Sequence, residues 1–312
     1  MRDKDMKESF GQCKIGSVII DDRFYDGADT YNEGDAEEEF VLDVFREGKD
    51  VEEALRRDNR WPILYQLSPE RKNIVLPMDL RSSDLVLEVG AGMGAITGAL
   101  AKRAKHVDCI ELSARRSLAN AWRNKDCDNI TIYTGNFQKM QLDGKYDVAT
   151  LIGVLEYAPM FFHDEMFPDE TMLNKLWGLL KPGGRLYIAI ENRLGMKYFA
   201  GAVEDHFGSA YVGISGYPIA GAKTYSRAEL HALLKKMGWD DIYFYYPYPD
   251  YKLPSVIYSD DMPNGDFIPA AVDYNQTRHE NFDEHKAFLS MTQAEDYRTF
   301  ANSFLVEAKK TV

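Results

Sequence analysis

Residues 85–98 read LVLEVGAGMGAITG: an apolar strand runs into Gly90, Gly92 and Gly94, and a helical pattern follows at once. A glycine loop of this kind lets the main chain take conformations closed to other residues and brings a ligand close to the backbone. Downstream, Met93, Ile96, Leu100 and Ala104 recur at helical spacing and predict the buried stripe of a helix. The unit is therefore strand, glycine turn, helix, and the same alternation continues along the chain. "HVDCIEL" predicts a second strand and Ser113 caps the helix after it. "NITIY" and "YDVATLI" are the third and fourth strands, and a helix ending in "LWGLLKPGG" leads to a fifth, "RLYIAI". A Ser226/Glu229 capping box opens "SRAELHALLKKMGW", and the strands "DIYFYY" and "NSFLVEAKK" close the series. The fold class is α/β, with a doubly wound, mostly parallel sheet of seven strands.

Three regions stand outside that rhythm. Residues 1–80 carry no glycine-loop chemistry and read as a mostly helical N-terminal extension that covers the cofactor and substrate site. Within it, "DAEEEFVLDVFREG" puts Phe40, Val41, Val44 and Phe45 on one helix face, with acids at its start and Gly48 at its end. The remaining domain, 81–312, holds two long insertions, 192–225 and 249–301. Loops of that length inside a compact domain usually carry function or structure of their own. Ligands of open α/β sheets bind at the carboxyl ends of the strands, so both insertions are expected to form a substrate cap there.

Composition narrows the function classes. The 312 residues are 45% hydrophobic and 28% charged, as in an ordinary globular protein. Lys+Arg 37 against Asp+Glu 50 gives a net charge of −13, which argues against nucleic acid or an anionic membrane as partner. Cys13, Cys109 and Cys127 show no metal-ligand spacing, and Asp260 with Asp261 reads as an acidic pair flanking a turn beside Pro263 and Gly265. No metal is expected. "MRDKDMKESFGQC" lacks the apolar segment of a signal peptide, and no run approaches membrane-spanning length, so the expectation is a soluble cytoplasmic protein. A homodimer is left open.

Gly90, Gly92 and Ala95 satisfy the dinucleotide fingerprint G-x-G-x-x-G/A, and Glu111 at the end of the second strand suits a ribose diol in NAD and S-adenosylmethionine alike. Other residues separate the two. Glu88 stands two positions before Gly90, where a carboxylate favours an ammonium and a sulfonium and repels a pyrophosphate. "YTGNFQKM" offers Asn136 to an adenine edge and Phe137 to its face, and "LIGVLEY" puts Gly153 and Glu156 directly after an apolar strand. From Asp84 to Glu191 the chain thus resembles the class I S-adenosylmethionine-dependent methyltransferases. The resemblance implies a Rossmann-like methyltransferase fold in which Glu88, Gly90, Gly92 and Gly94 approach the methionine part of the cofactor. It further implies that Glu111, with Leu112, holds the ribose, and that Asn136 and Phe137 contact adenine. That adenine position is usually Asp in the family, and the amide oxygen of Asn136 can still accept from the exocyclic amine. A narrower resemblance covers nearly the whole chain. "YQLSPERKNIV", "LIGVLEYAP", "AIENRLGMKYFAGAVEDHFG" and "YYPYPDYKLPSVIYSD" look like a bacterial methyltransferase group often encoded beside glycosyltransferases. It implies a saccharide or other polar small molecule as acceptor.

Transfer from a sulfonium to a hydroxyl requires alignment of the acceptor, exclusion of water and a base. His206 in "VEDHFG" is the first candidate, oriented by Asp205 or Glu204; Glu156 with Tyr157, and Glu191 with Asn192, are the others. Each has a plainer alternative: a loop histidine, a helix cap, a partner for loop amides. Arg193 could bind an anionic acceptor, and His163 reads as solvated. Tyr65, Ser68 and Arg71 precede the first strand, where Arg71 would pair with the cofactor carboxylate or simply pack on the sheet. Two rival functions stay open. A nicotinamide-dependent oxidoreductase needs a second mononucleotide-binding half that is not visible, and a catalytically inactive cofactor-binding partner protein is supported only by Asn136.

Overall fold

Val86, Leu87 and Val89 bury the strand that opens the glycine loop, and every later strand builds on the same economy of apolar runs. The computed structural model describes residues 11–27, 34–162, 164–218, 221–262, 278–291 and 294–311. His163, Pro263 and Gly265 lie outside the described residues. The chain divides into two units, Met1–Thr150 with Leu179–Lys181 and Leu151–Gly178 with Pro182–Val312.

The first unit carries strands β1 (Gln12–Ile15), β2 (Val18–Phe24), β3 (Leu85–Val89), β4 (His106–Glu111), β5 (Ile130–Gly135) and most of β6 (Tyr146–Ile152). They lie in the order β1-β2-β5-β4-β3-β6, with β2, β5, β4 and β3 mutually parallel and β1 turned back on β2. The hairpin corrects the expectation that residues 1–80 are mostly helical. Val18 and Ile20 are β-branched and buried, and pairing β2 with β5 extends the sheet by two strands. Helices Asp35–Arg46, Val51–Arg57 and Trp61–Leu67 follow, then a 3-10 turn, Pro69–Val75. Nor do these residues form a unit of their own. Val41, Leu42 and Val44 share a core with Met93 and Ala119, and Glu38 pairs with Arg116 of the helix Ala114–Arg123 at 2.7 Å, both side chains buried.

The second unit holds most of β7 (Leu180–Glu191) with β8 (Trp239–Tyr248), β9 (Val256–Ser259) and β10 (Ser303–Lys310), in the order β7-β10-β8-β9. Every neighbouring pair is antiparallel, because β10 enters between β7 and β8 and runs against both. The described residues therefore hold ten strands, where seven were expected. The three additional strands are β1, β2 and β9. The second insertion supplies β9 and the helices Glu284–Ser290 and Ala294–Phe300. Its Tyr258, Phe288 and Tyr297 pack ring against ring with Tyr246 and Tyr248 of β8. The first insertion is closed at its base by a bridge between Asn192 and Tyr225. The Ser226/Glu229 capping box is present in both directions. Among the described residues no helix is long and apolar enough to cross a membrane.

Candidate functional site

The glycine loop is built by positive φ at Gly90 (73°), Gly92 (54°) and Gly94 (75°). Its glycines do different jobs. A Cβ on Gly94 would strike the Asn120 and Asn124 side chains, so this residue is small to admit the helix behind the loop. A Cβ on Gly92 would meet nothing within 4 Å, so this position faces open space. Gly92 also donates its N–H to Glu111 Oε2 at 2.7 Å, while Ser113 N–H donates to Oε1 at 2.9 Å. Glu111 thereby ties the end of β4 to the loop, with Leu112 half-buried between.

Glu88 is buried at the end of β3, and its Oε2 accepts from Thr97 Oγ1 at 2.6 Å. Asn120 in turn donates to Thr97 Oγ1 at 3.1 Å. Burial pushes the Glu88 carboxyl up to about 7, against the pull of the Thr97 and Cys109 hydrogen bonds. Arg71, also buried, lies 4.1 Å above the Tyr65 ring and favours an ionised Glu88. Asn136 Oδ1 accepts from Gln138 N–H at 2.9 Å in a local turn, and Phe137 is buried beside it. Ser68 caps the 3-10 turn through the N–H of Glu70.

In the second unit the structure brings together all three residues proposed to handle the acceptor. Glu156 lies in the turn Leu155–Tyr157, Glu191 is the last residue of β7, and His206 sits within the first insertion. One donor atom from each lies within 4.8 Å of the other two. Glu156 and Glu191 are each 1% exposed, and no hydrogen bond reaches Glu156 Oε2 or Glu191 Oε2. Gly153 has φ 70° and no Cβ because Tyr251 Oη would lie 2.8 Å from it. Tyr157 meets the His206 ring edge-on at 5.4 Å.

Glu204, not Asp205, orients His206. Its Oε1 lies 3.0 Å from Nδ1, and its Oε2 accepts the N–H groups of His206 and Phe207. Asp205 turns to two lysines missed in the sequence, Lys197 and Lys252, each at 2.8 Å, and accepts from Tyr198 Oη. Lys252 also meets Glu191 Oε1 at 2.5 Å. The charges sort accordingly. Burial pushes Glu156 up to about 8, reinforced by Glu191. Burial would raise Glu191 too, but Lys252 holds it below the usual carboxylate range. Burial alone would lower His206; the Glu204 hydrogen bond and the neighbouring glutamates push it up to about 9 instead. The two other candidates have structural duties: Asn192 donates to the carbonyls of Thr299 and Ala301, and Arg193 pairs with Glu229 at 2.7 Å.

Residues 87–186 match a family described as a methyltransferase domain. Ribosomal RNA small subunit methyltransferase A of Cupriavidus metallidurans is 30% identical over 106 residues, 31% of this chain and 37% of that protein. Ubiquinone biosynthesis O-methyltransferase of Coxiella burnetii is 26% identical over 140 residues, 42% of this chain and 53% of that protein. The chain thus spans between a third and just over half of the length of these curated relatives. Among solved structures, a possible histamine N-methyltransferase of Thermotoga maritima is similar with a TM-score of 0.48 at 15% identity, covering 87% of this chain and 100% of that one. S-adenosylmethionine is the cofactor such a domain calls for, and the open face at Gly92 fits a ligand that must approach the main chain.

Proposed function

We propose that the protein transfers the methyl group of S-adenosylmethionine to a hydroxyl of a saccharide or another polar small molecule. The cofactor, when bound, supplies a methyl group already activated on a sulfonium. The residues of the chain hold it, align the acceptor and remove a proton. Gly92 gives the close approach, Glu111 suits the ribose hydroxyls, and Asn136 and Phe137 suit adenine.

The observation that carries the proposal is the meeting of buried Glu156 and Glu191 with half-buried His206. Buried carboxylate oxygens without hydrogen-bond partners, such as Glu156 Oε2 and Glu191 Oε2, are expensive, and a protein that had lost its chemistry would have no use for them. One expectation changes. A histidine pushed up to about 9 is protonated at neutral pH, so Glu191, which Lys252 holds ionised, is the group left to take the acceptor proton. The insertions 192–225 and 249–301 contribute His206, Lys197 and Lys252 to the cluster, in keeping with a role beside the acceptor. The saccharide class rests on the narrower sequence resemblance. An acceptor screen with methyl-labelled S-adenosylmethionine, including sugar nucleotides, tests the reading. Label in a hydroxyl product supports it; S-adenosylhomocysteine binding without turnover on any acceptor would leave a cofactor-binding protein only.

A further inference from the structure

The trio has a second property that methyl transfer does not require. An imidazole nitrogen and two carboxylate oxygens, each from a different chain segment, converge within 4.8 Å in a buried pocket of charge. Neighbouring ligands of one tetrahedral ion stand about 3.3–3.6 Å apart when each bond is about 2.0–2.2 Å, so the three side chains would draw together around the ion to complete a three-ligand set. Three features favour a cation there over a vacant cluster. Glu156 Oε2 is buried with no hydrogen-bond partner, and Glu191 Oε2 likewise, while Lys252 meets Glu191 at Oε1. His206 already has the support that metal-bound histidines use: Nδ1 faces Glu204 Oε1 at 3.0 Å, which leaves the other ring nitrogen as the ligand. Glu204 itself is locked by two backbone N–H groups and by Tyr217 Oη at 3.2 Å.

The formal charges agree. A ligating imidazole is neutral. With the ion bound and both ligand carboxyls ionised, Glu156, Glu191, Glu204 and Asp205 face Lys197 and Lys252, four negative charges against two positive, an excess that one divalent ion balances. Asp250, more exposed, adds negative potential on the lysine side.

We propose that Glu156, Glu191 and His206 form a binding site for one divalent transition-metal ion. Two carboxylates and one imidazole suit manganese, iron(II) or zinc, whereas calcium and magnesium sites are built from oxygen alone. Three protein ligands leave coordination positions open, as in sites that take up a substrate oxygen. A hydroxyl held there would ionise nearer neutral pH. This reverses the expectation of no metal. The cysteine and aspartate spacing considered in the sequence does not involve these residues, which meet only in the fold.

The test uses the whole protein, stripped with EDTA, desalted, and titrated separately with manganese(II) chloride and zinc sulfate by calorimetry. Metal retained after gel filtration is counted by mass spectrometry. One ion per chain is expected, and Glu156→Gln and His206→Asn should each weaken binding by about tenfold or more. Glu204→Gln keeps all three ligands but loosens the imidazole, so it should weaken binding by about 10–100-fold. Should Glu156→Gln fail to fold, Glu156→Asp shortens the ligand by one methylene and carries the same expectation. Affinity for S-adenosylhomocysteine, measured on the same samples, should stay unchanged, which separates this proposal from the methyl-transfer reading. No retained metal, or equal affinity in wild type and in all these variants, overturns it.

Discussion

Glu88 shows how one residue couples burial to pH. Its carboxyl is pushed from the ordinary 4.5 to about 7, with burial the largest cause. Between those values the unfolded chain releases the proton while the folded chain keeps it, so stability falls as pH rises from 4.5 to 7 and is level on either side. Each unit is worth about 1.4 kcal/mol, giving a loss of up to about 3 kcal/mol across the window. Glu88→Gln retains an acceptor for Thr97 Oγ1 and removes the titration. Urea melts should show the variant gaining on wild type from pH 4.5 to 8; a constant difference across that range refutes a buried, pH-sensitive Glu88. The neighbouring glycines separate by their surroundings. Gly92→Val puts a branched side chain into open space at φ 54°, at a cost of about 1–2 kcal/mol in stability, and should abolish S-adenosylhomocysteine binding with the circular dichroism spectrum retained. Gly94→Ala meets Asn120 and Asn124, so it should lower the melting temperature as well. If Gly92→Val still binds in calorimetry, the loop is a structural turn and nothing more.

At the scale of elements, legibility followed length and pattern. The seven expected strands were runs of five or more largely apolar residues bounded by turn signals, and all seven are present. β1 (QCKI) and β9 (VIYS) have four residues each, too short for alternation to be distinctive, and β2 carries Asp21 and Asp22 in mid-strand. Helix Asp35–Arg46 was legible as amphipathic, but its buried acid was not. Glu38 belongs to the acidic run that reads as a solvated helix start, yet it is 3% exposed because Arg116 of the helix Ala114–Arg123 covers it. Breaking such a pair leaves a buried charge and costs about 3–5 kcal/mol. Glu38→Ala should therefore destabilise the protein by that amount, measured by denaturant unfolding. Glu38→Met combined with Arg116→Met should recover most of the loss. A Glu38→Ala cost below about 1 kcal/mol, the usual worth of an exposed pair, would show that the contact is loose in solution.

At the scale of the whole molecule, the acid–histidine trio was legible because Glu156 and Glu191 follow strands and His206 lies in an insertion. Lys197 and Lys252 were not, since a lysine in a loop reads as solvated until the fold surrounds it with carboxylates. The same limit applied to the choice between Glu204 and Asp205, which sequence alone left open and geometry decides. The two chemistries, cofactor loop and trio, belong to different units, and this yields a test by hydrogen exchange. S-adenosylhomocysteine alone should slow exchange in residues 85–98 and around Glu111 and Asn136, all in the first unit. Adding an acceptor found by the label screen should slow exchange in 192–225 and in the described parts of 249–301, where the backbone N–H groups of His206 and Phe207 already bond to Glu204. The reverse pattern, with the acceptor protecting only residues 11–80, would move the acceptor site to the first unit. The trio would then keep its place as a metal site or a structural centre, without part in the transfer.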